Sequence, residues 1–310
     1  MSSLGRILIV GAAGQVGVEL QRTFADSGEI ICRDRESVDL AVEDQVREMV
    51  RSAAPDIILN AAAYTAVDRA ESEPELAMAI NARAPQVLAE EASRRNALLV
   101  HYSTDYVFDG SKQVPWVETD RPNPVNVYGA SKLAGEEAIR QVGGTHLIFR
   151  TSWVYGPHGN NFLLTMLRLA RERDRLSVVD DQFGAPTTSI ELANATRTIV
   201  DRAAGGKFGS PENWAGIYHM TCGGSISWFG FAQAIFARAG HLLNGRHPEL
   251  FPIAAADYPT PARRPRNSTL SNSKLQTLLE VRLATWESAL DEAIRSIPSE
   301  LSSPLPTPTH

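Results

Sequence analysis

The chain has 310 residues, 43% hydrophobic and 7% aromatic, with a formal net charge of -6. That length suits one large α/β unit plus a smaller lobe, and this apolar content is enough for a core built without metals or disulfides. The negative charge is thinly spread with no run of Lys or Arg, which excludes a nucleic-acid phosphate footprint, and no apolar stretch is long enough to span a bilayer.

The first apolar run, Ile7 to Val10, is too short for the core of a signal peptide, so the expected compartment is the cytoplasm. Cys32 and Cys222 stand far apart without CxxC spacing, and both read as buried, reduced residues rather than disulfide or zinc partners. Strand-length apolar runs follow at Arg6 to Val10, Ile30 to Cys32, Ile57 to Asn60, Leu98 to Tyr102, Leu147 to Arg150 and Leu176 to Val179. Between them lie amphipathic helix-length stretches near Gln15 to Asp26, Val42 to Ala53, Glu75 to Arg95, Tyr128 to Gln141 and Phe162 to Arg173. The alternation predicts an α/β fold with a doubly wound parallel (Rossmann) sheet covered on both faces.

After about Asp180 the chain turns to Gly- and Pro-rich loops with shorter helices near Glu191 to Arg202 and Trp228 to Ala239. We therefore expect residues 1–180 to be mainly the dinucleotide-binding domain. Residues 181–297 should form mainly a smaller C-terminal substrate-binding lobe interleaved with the last strands, and Pro298 to His310 a flexible tail.

The first chemical motif is Gly11-Ala12-Ala13-Gly14-Gln15-Val16-Gly17, set between the first strand and the first helix. Glycines there let the backbone turn tightly and approach a pyrophosphate held by free N–H groups and the helix dipole. The GxxGxxG spacing resembles that of extended short-chain dehydrogenases. After the second strand, Asp34 suits an adenosine ribose while Arg33 and Arg35 suit a 2′-phosphate, so NADH and NADPH both remain open. Asp39 and Leu40 are placed to cap the adenine, although plain turn chemistry accounts for either Asp taken alone. The run Ala61, Ala62, Ala63, Tyr64, Thr65 offers small residues where a cofactor lies against the backbone.

Ser103-Thr104-Asp105 ends the fourth strand, and Tyr128 and Lys132 open the next long helix. Four residues apart, they share one helical face, so the ammonium is expected to lower the phenol pKa and make Tyr128 a proton donor. Thr104 would hold a substrate carbonyl, and Lys132 would also bind the nicotinamide ribose.

The order GAAGQVG, NAAAYTAVD, ESEPELA, HYSTDYVFDG, NVYGASKLAGE, FRTSWVYG, NNF, DQFGAPT and RRPRNS resembles the dTDP-4-dehydrorhamnose reductase family from the first strand to about Trp286. The resemblance implies NAD(P)H-dependent reduction of dTDP-4-dehydro-6-deoxy-L-mannose to dTDP-L-rhamnose. It makes Tyr128 the proton donor and Lys132 its partner, gives Thr104, Asp105 and Trp153 to the sugar, and adds Tyr102 to the cofactor contacts. Trp153 follows the fifth strand, where an indole suits an apolar deoxysugar face, though a core Trp is the plainer reading. Arg264 and Asn267, within Arg263 to Asn267, are the choices for the nucleotide diphosphate, against a solvated basic loop. Some members dimerise around Mg2+ held by glutamates matching Glu19, Glu191 and Glu287. By spacing alone those carboxylates are no metal motif, and surface helix charge explains them equally well.

Two other readings share much of this pattern. Nucleotide-sugar epimerases and dehydratases have the same fold and Tyr/Lys pair, but dehydratases usually carry a Glu directly after the Thr-Asp pair, where this chain has Tyr106. A catalytically silent regulatory subunit need not keep Thr104, Tyr128 and Lys132 together.

Overall fold

The computed structural model describes residues 3–243, 245–246 and 248–297, so the tail expected at Pro298 to His310 lies outside the described residues. Six strands, β1 (Arg6–Val10), β2 (Glu29–Arg33), β3 (Ile57–Asn60), β4 (Leu98–Thr104), β5 (His146–Thr151) and β6 (Gly216–His219), form one parallel sheet in the order β6-β5-β4-β3-β1-β2. Side chains alternate through it. Ile7 and Ile9 of β1 enter one hydrophobic core and Leu8 and Val10 the other, as a sheet covered on both faces requires.

Helices α1 (Gln15–Phe24), α2 (Glu43–Ala53), α3 (Ala84–Arg95), α4 (Val127–Val142), α5 (Phe162–Glu172) and α6 (Ser189–Ala204) accompany the sheet. Leu20 and Phe24 of α1 and Leu192 and Ile199 of α6 fill the core on one face. Val46 and Val50 of α2, Val87 and Leu88 of α3 and Ile139 of α4 fill the other. A separate apolar cluster joins α5 to α7 (Trp228–Arg238) and α8 (Trp286–Arg295) through Leu163, Leu167, Phe231, Ile235 and Leu290. Among the described residues no helix is long and apolar enough to cross a membrane.

Three sequence expectations change. Leu176–Val179 lies within a strand, Arg175–Val179, but this pairs with Glu249–Ile253 in a separate two-stranded sheet. The sixth strand of the main sheet is β6, which the sequence reading passed over. The helix expected over Glu75 to Arg95 is interrupted by a π-helical turn at Ala79–Arg83. Pro85 explains the break: it has no N–H to give the carbonyl of Asn81 four residues earlier, and its ring crowds that oxygen. Cys32 is half-buried, its thiol donating to Gln21 Oε1 at 3.2 Å, while Cys222 is buried and both are unpaired.

The strand order reverses between β1 and β3, which places a crevice at their carboxyl ends. Backbone steric limits set its shape. Gly11 has φ +81°, and a Cβ there would sit 2.6 Å from the Ala62 nitrogen. A Cβ on Gly17 would lie 2.1 Å from the Gly11 carbonyl oxygen. Gly17→Ala must therefore push α1 away from β1, with an expected loss of about 1–3 kcal/mol. Thermal unfolding checks this, and an unchanged midpoint would contradict the packing described.

Candidate functional site

The glycine turn comes first at the crevice. Gly11 and Ala12 donate to the Arg33 carbonyl at 2.8 and 3.0 Å, which ties the turn to the end of β2. Gly14 precedes α1 and supplies no side-chain cap, so the first-turn N–H groups of Gln15, Val16 and Gly17 are left for a ligand at the positive end of the helix. The tight turn at Gly11, where a Cβ would collide with the Ala62 backbone, and this uncapped helix fit the phosphates of a dinucleotide. Gln15 accepts from Asn161 Nδ2 at 2.9 Å, linking the turn to the N-terminus of α5, which Asn161 caps.

At the ribose end the acids are engaged locally. Asp34 Oδ1 accepts from the Ser37 hydroxyl at 3.0 Å and from the Glu36 and Ser37 nitrogens, both at 3.1 Å, and these bonds, the hydroxyl's foremost, hold its carboxyl below the usual range. Asp39 Oδ1 accepts from the Ala41 nitrogen at 2.9 Å. Both are turn-forming acids here, placed at the crevice rim. Leu40 is half-buried against the core below. Arg33 donates to the Cys32 carbonyl at 2.8 Å, while Arg35 is exposed.

The loop from Ala61 to Thr65 is held by Asn81, a residue the sequence reading missed. Its Oδ1 accepts from the Tyr64 nitrogen at 2.8 Å, and its Nδ2 donates to the Tyr64 carbonyl at 3.1 Å and to Ser131 Oγ at 2.9 Å. Ala61 and Ala63 are half-buried and Thr65 is exposed along this loop. The Tyr64 hydroxyl donates to Glu73 at 2.5 Å. The π-helical turn thus presents Asn81 to the loop and to α4 together; an Asn interrupting an alanine-rich helix just before Pro85 was the available signal.

The reactive groups gather where β4 meets α4. Asn126 caps α4 by accepting from the Gly129 nitrogen at 2.7 Å, so Tyr128 lies in the first turn and Lys132 one turn deeper. Thr104 Oγ1 donates to Asp105 at 2.9 Å and accepts from the Tyr106 nitrogen at 3.1 Å. Burial pushes the Tyr128 phenol up to about 12. This corrects the expectation of a phenol lowered by Lys132. The lysine points instead at the Tyr102 carbonyl, 2.6 Å away, and at His101 Nε2, 3.1 Å away, and desolvation brings it down to about 8.

Tyr102 itself is buried with its hydroxyl 2.6 Å from Thr196 Oγ1, so what it turns toward Lys132 is its backbone carbonyl. Asp105 is buried among hydroxyls, and desolvation raises its carboxyl to about 6 against bonds from Ser268, Thr104 and Ser152. Tyr106 packs edge-on against Tyr128, ring centroids 5.7 Å apart, and burial raises its phenol strongly. Beneath these groups Arg150 binds Glu136 in a fully buried pair at 2.6 Å, and Glu136 also accepts from Ser103 at 2.5 Å.

Trp153 follows β5 with φ 49°, a left-handed backbone that is strained for a bulky residue. Its indole stacks on Trp228 at 3.4 Å with 7° between the planes, so one face is already covered. Arg264 is clamped by Asp68, donating at 2.8 and 3.1 Å, and its charge acts on Tyr106, which puts it beside the site. Asn267 is a loop staple: its Nδ2 donates to the Lys112 and Val114 carbonyls and its Oδ1 accepts from Thr269. Its amide is thus spoken for, unlike the free ligand group expected.

Within one chain Glu19, Glu191 and Glu287 form no metal-binding group, whereas the Mg2+ site the resemblance implies lies between two chains. Glu19 is buried near Arg22 and His158, and Glu191 accepts from the Ala284 nitrogen at 2.7 Å. Among the described residues no group of three or more His, Cys, Asp or Glu side chains can hold a metal ion.

Comparison with known proteins agrees with this geometry. The family model described as the RmlD substrate binding domain matches residues 5–298. The chain is 46% identical over 303 residues to a dTDP-4-dehydrorhamnose reductase of Burkholderia thailandensis, covering 95% of this chain and 100% of that one. With the Escherichia coli K12 protein of the same name the identity is 47% over 288 residues, covering 91% and 94%. A crystal structure of dTDP-4-dehydrorhamnose reductase from Bacillus anthracis in complex with NADP superposes with a TM-score of 0.86 at 35% identity, covering 95% of this chain and 99% of that one. A UDP-glucose 4-epimerase of Thermus thermophilus, at 21% identity and a TM-score of 0.73, shares the fold. The chain belongs to the dTDP-4-dehydrorhamnose reductase family.

Proposed function

We infer that this chain is an NAD(P)H-dependent reductase that converts the 4-keto group of dTDP-4-dehydro-6-deoxy-L-mannose to the alcohol of dTDP-L-rhamnose. The observation that carries the reading is the convergence of Thr104, Tyr128 and Lys132 at the carboxyl edge of the sheet, beside a glycine turn built for a dinucleotide. The cofactor supplies the hydride. The chain supplies the proton and the alignment.

A phenol raised to about 12 stays protonated at neutral pH, which is the state a proton donor needs before turnover. Tyr128 gives that proton to the carbonyl oxygen as the sugar carbon is reduced. Thr104 rotates its hydroxyl from Asp105 to the same oxygen, and the Lys132 amine, one helical turn below, steadies the phenolate left behind. Trp153, half-buried after β5, and Arg264 border the room for the dTDP-sugar. A cytoplasmic location belongs to the same reading, supported by two unpaired cysteines.

Elimination chemistry has less support. Tyr106 stands where a dehydratase carries its carboxylate, and a phenol raised by burial is no base at neutral pH.

Incubation with the dTDP-4-keto sugar and either NADH or NADPH tests the reading by loss of reduced-nicotinamide absorbance and ranks the two cofactors. Oxidation that needs every component is expected, and none with either cofactor would overturn it. Tyr128→Phe should lower kcat by about 10²–10⁴-fold with cofactor affinity nearly unchanged. Full activity in that variant would remove the proton-donor role.

Asp105 gives a pH signature. Its folded carboxyl is raised to about 6 from 3.8, so the native state binds the proton more tightly than the unfolded chain does. Its contribution to stability is therefore full below about pH 4 and is lost as pH rises through about 6, a fall of up to about 3 kcal/mol. Relative to Asp105→Asn, the wild-type melting temperature should drop across that window, and parallel curves would contradict the raised carboxyl.

A further inference from the structure

His101 lies buried in the middle of β4, outside the proton transfer assigned to Tyr128. Its two ring nitrogens each face a partner: Asn60 Nδ2 lies 2.9 Å from Nδ1, and Lys132 Nζ lies 3.1 Å from Nε2. The orientation of the Asn60 amide is decided elsewhere, because its Oδ1 accepts from the backbone nitrogen of Ala62 at 3.2 Å. Turning the amide over would set an N–H against that N–H. Asn60 therefore donates to Nδ1, Nδ1 carries the lone pair, and the proton of the neutral ring is on Nε2, aimed at Lys132.

That arrangement constrains the lysine. Lys132 Nζ already donates to the Tyr102 carbonyl at 2.6 Å. An ammonium has no lone pair to receive the His101 Nε2–H, so its charged form meets donor with donor, whereas a neutral amine accepts from His101 and donates to Tyr102 without that clash. Charging the imidazole offers no escape, because burial first and the Lys132 charge second hold His101 well below the ordinary histidine value.

We propose that His101 is a positioning residue of the reductase site: locked by Asn60 into the tautomer protonated on Nε2, it donates to Lys132 and loosens that amine's hold on its own proton. The inference rests on the reading of Tyr128 and Lys132 as the proton-transfer pair, and it says how the lysine is tuned. Other charges around the pair are accounted for. Glu136, on the same helix, favours the ammonium, but it is neutralised by Arg150 of β5 and further bonded by Ser103 of β4. The third strand contributes the uncharged Asn60 and the π-helical turn the uncharged Asn81, which bonds Ser131 next to Lys132. The desolvation that brings Lys132 to about 8 works in the same direction as the His101 donor.

The chain has only four lysines, Lys112, Lys132, Lys207 and Lys274, so the test reads the amine directly. In cofactor-free protein labelled with 13C-lysine, the Lys132 Cε signal, assigned by its loss in Lys132→Met, is titrated by NMR. His101→Gln can turn a carbonyl toward the amine, and Asn60→Asp draws the ring proton to Nδ1. In each, the midpoint should rise by about one pH unit, a tenfold tighter proton. Imidazole 15N shifts should show His101 neutral with its proton on Nε2 in the wild type. A midpoint unmoved in a folded variant, or a wild-type ring protonated on Nδ1 or on both nitrogens, overturns the proposal. None of these readouts uses turnover, so loss of the reductase reading, seen as no oxidation of either cofactor, is a separate result.

Discussion

An amine with almost no access to solvent sits at the centre of this fold, and the surrounding structure is arranged to tolerate it. Lys132 is 1% exposed, and removing a cation from water is costly unless polar groups replace the lost hydration. The sheet supplies them from strands that are neighbours only because of the strand order: β4 brings His101 and the Tyr102 carbonyl, and β3 brings Asn60 behind them. The Asn126 cap fixes where α4 begins, and so which of its turns reaches the end of β4. Tyr128 is carried to the crevice by the same placement.

Beneath this layer the Glu136–Arg150 pair repeats the theme. A buried ion pair gains little net stability, but breaking it leaves a bare charge in the interior, so α4, β4 and β5 are held in one register through Glu136, Ser103 and Arg150. Neither charge touches the crevice. Their contribution is to keep Thr104, the residue after Ser103, at a constant distance from the helix bearing Tyr128. The rigid half of the site is thus built on strands and one helix, while Trp153, Arg264 and Asn267 come from connections between them.

What could be read in the sequence followed how local its cause was. Gly11 and Gly17 were legible because their reason is steric and close by, and the Tyr128/Lys132 pair because helical spacing alone sets it on one face. Leu176–Val179 was legible as a strand but not as one outside the main sheet, since apolar alternation says nothing about which partner a strand finds. The strand Gly216–His219 is short and follows a loop-rich stretch, so periodicity had little to work on. Asn267 carries a side chain suited to a ligand, yet nearby backbone groups claim it, a competition spacing does not reveal. His101 and Asn81 were missed because their partners are brought near only by the fold. The expected fall in the Tyr128 pKa failed for the same reason: the helix sets lysine and tyrosine on one face, but the strand decides where the ammonium points.

On the proposed reading, a hydride passes in this crevice from a nicotinamide to C4 of a dTDP-linked keto sugar, with the proton given by Tyr128. The most direct measurement is turnover with NADPH deuterated at C4 of the nicotinamide, each face labelled in turn, followed by NMR of the sugar. One deuterium at C4 of the product sugar is expected from one labelled face and none from the other. Label released to solvent, or found at any other sugar carbon, would contradict it.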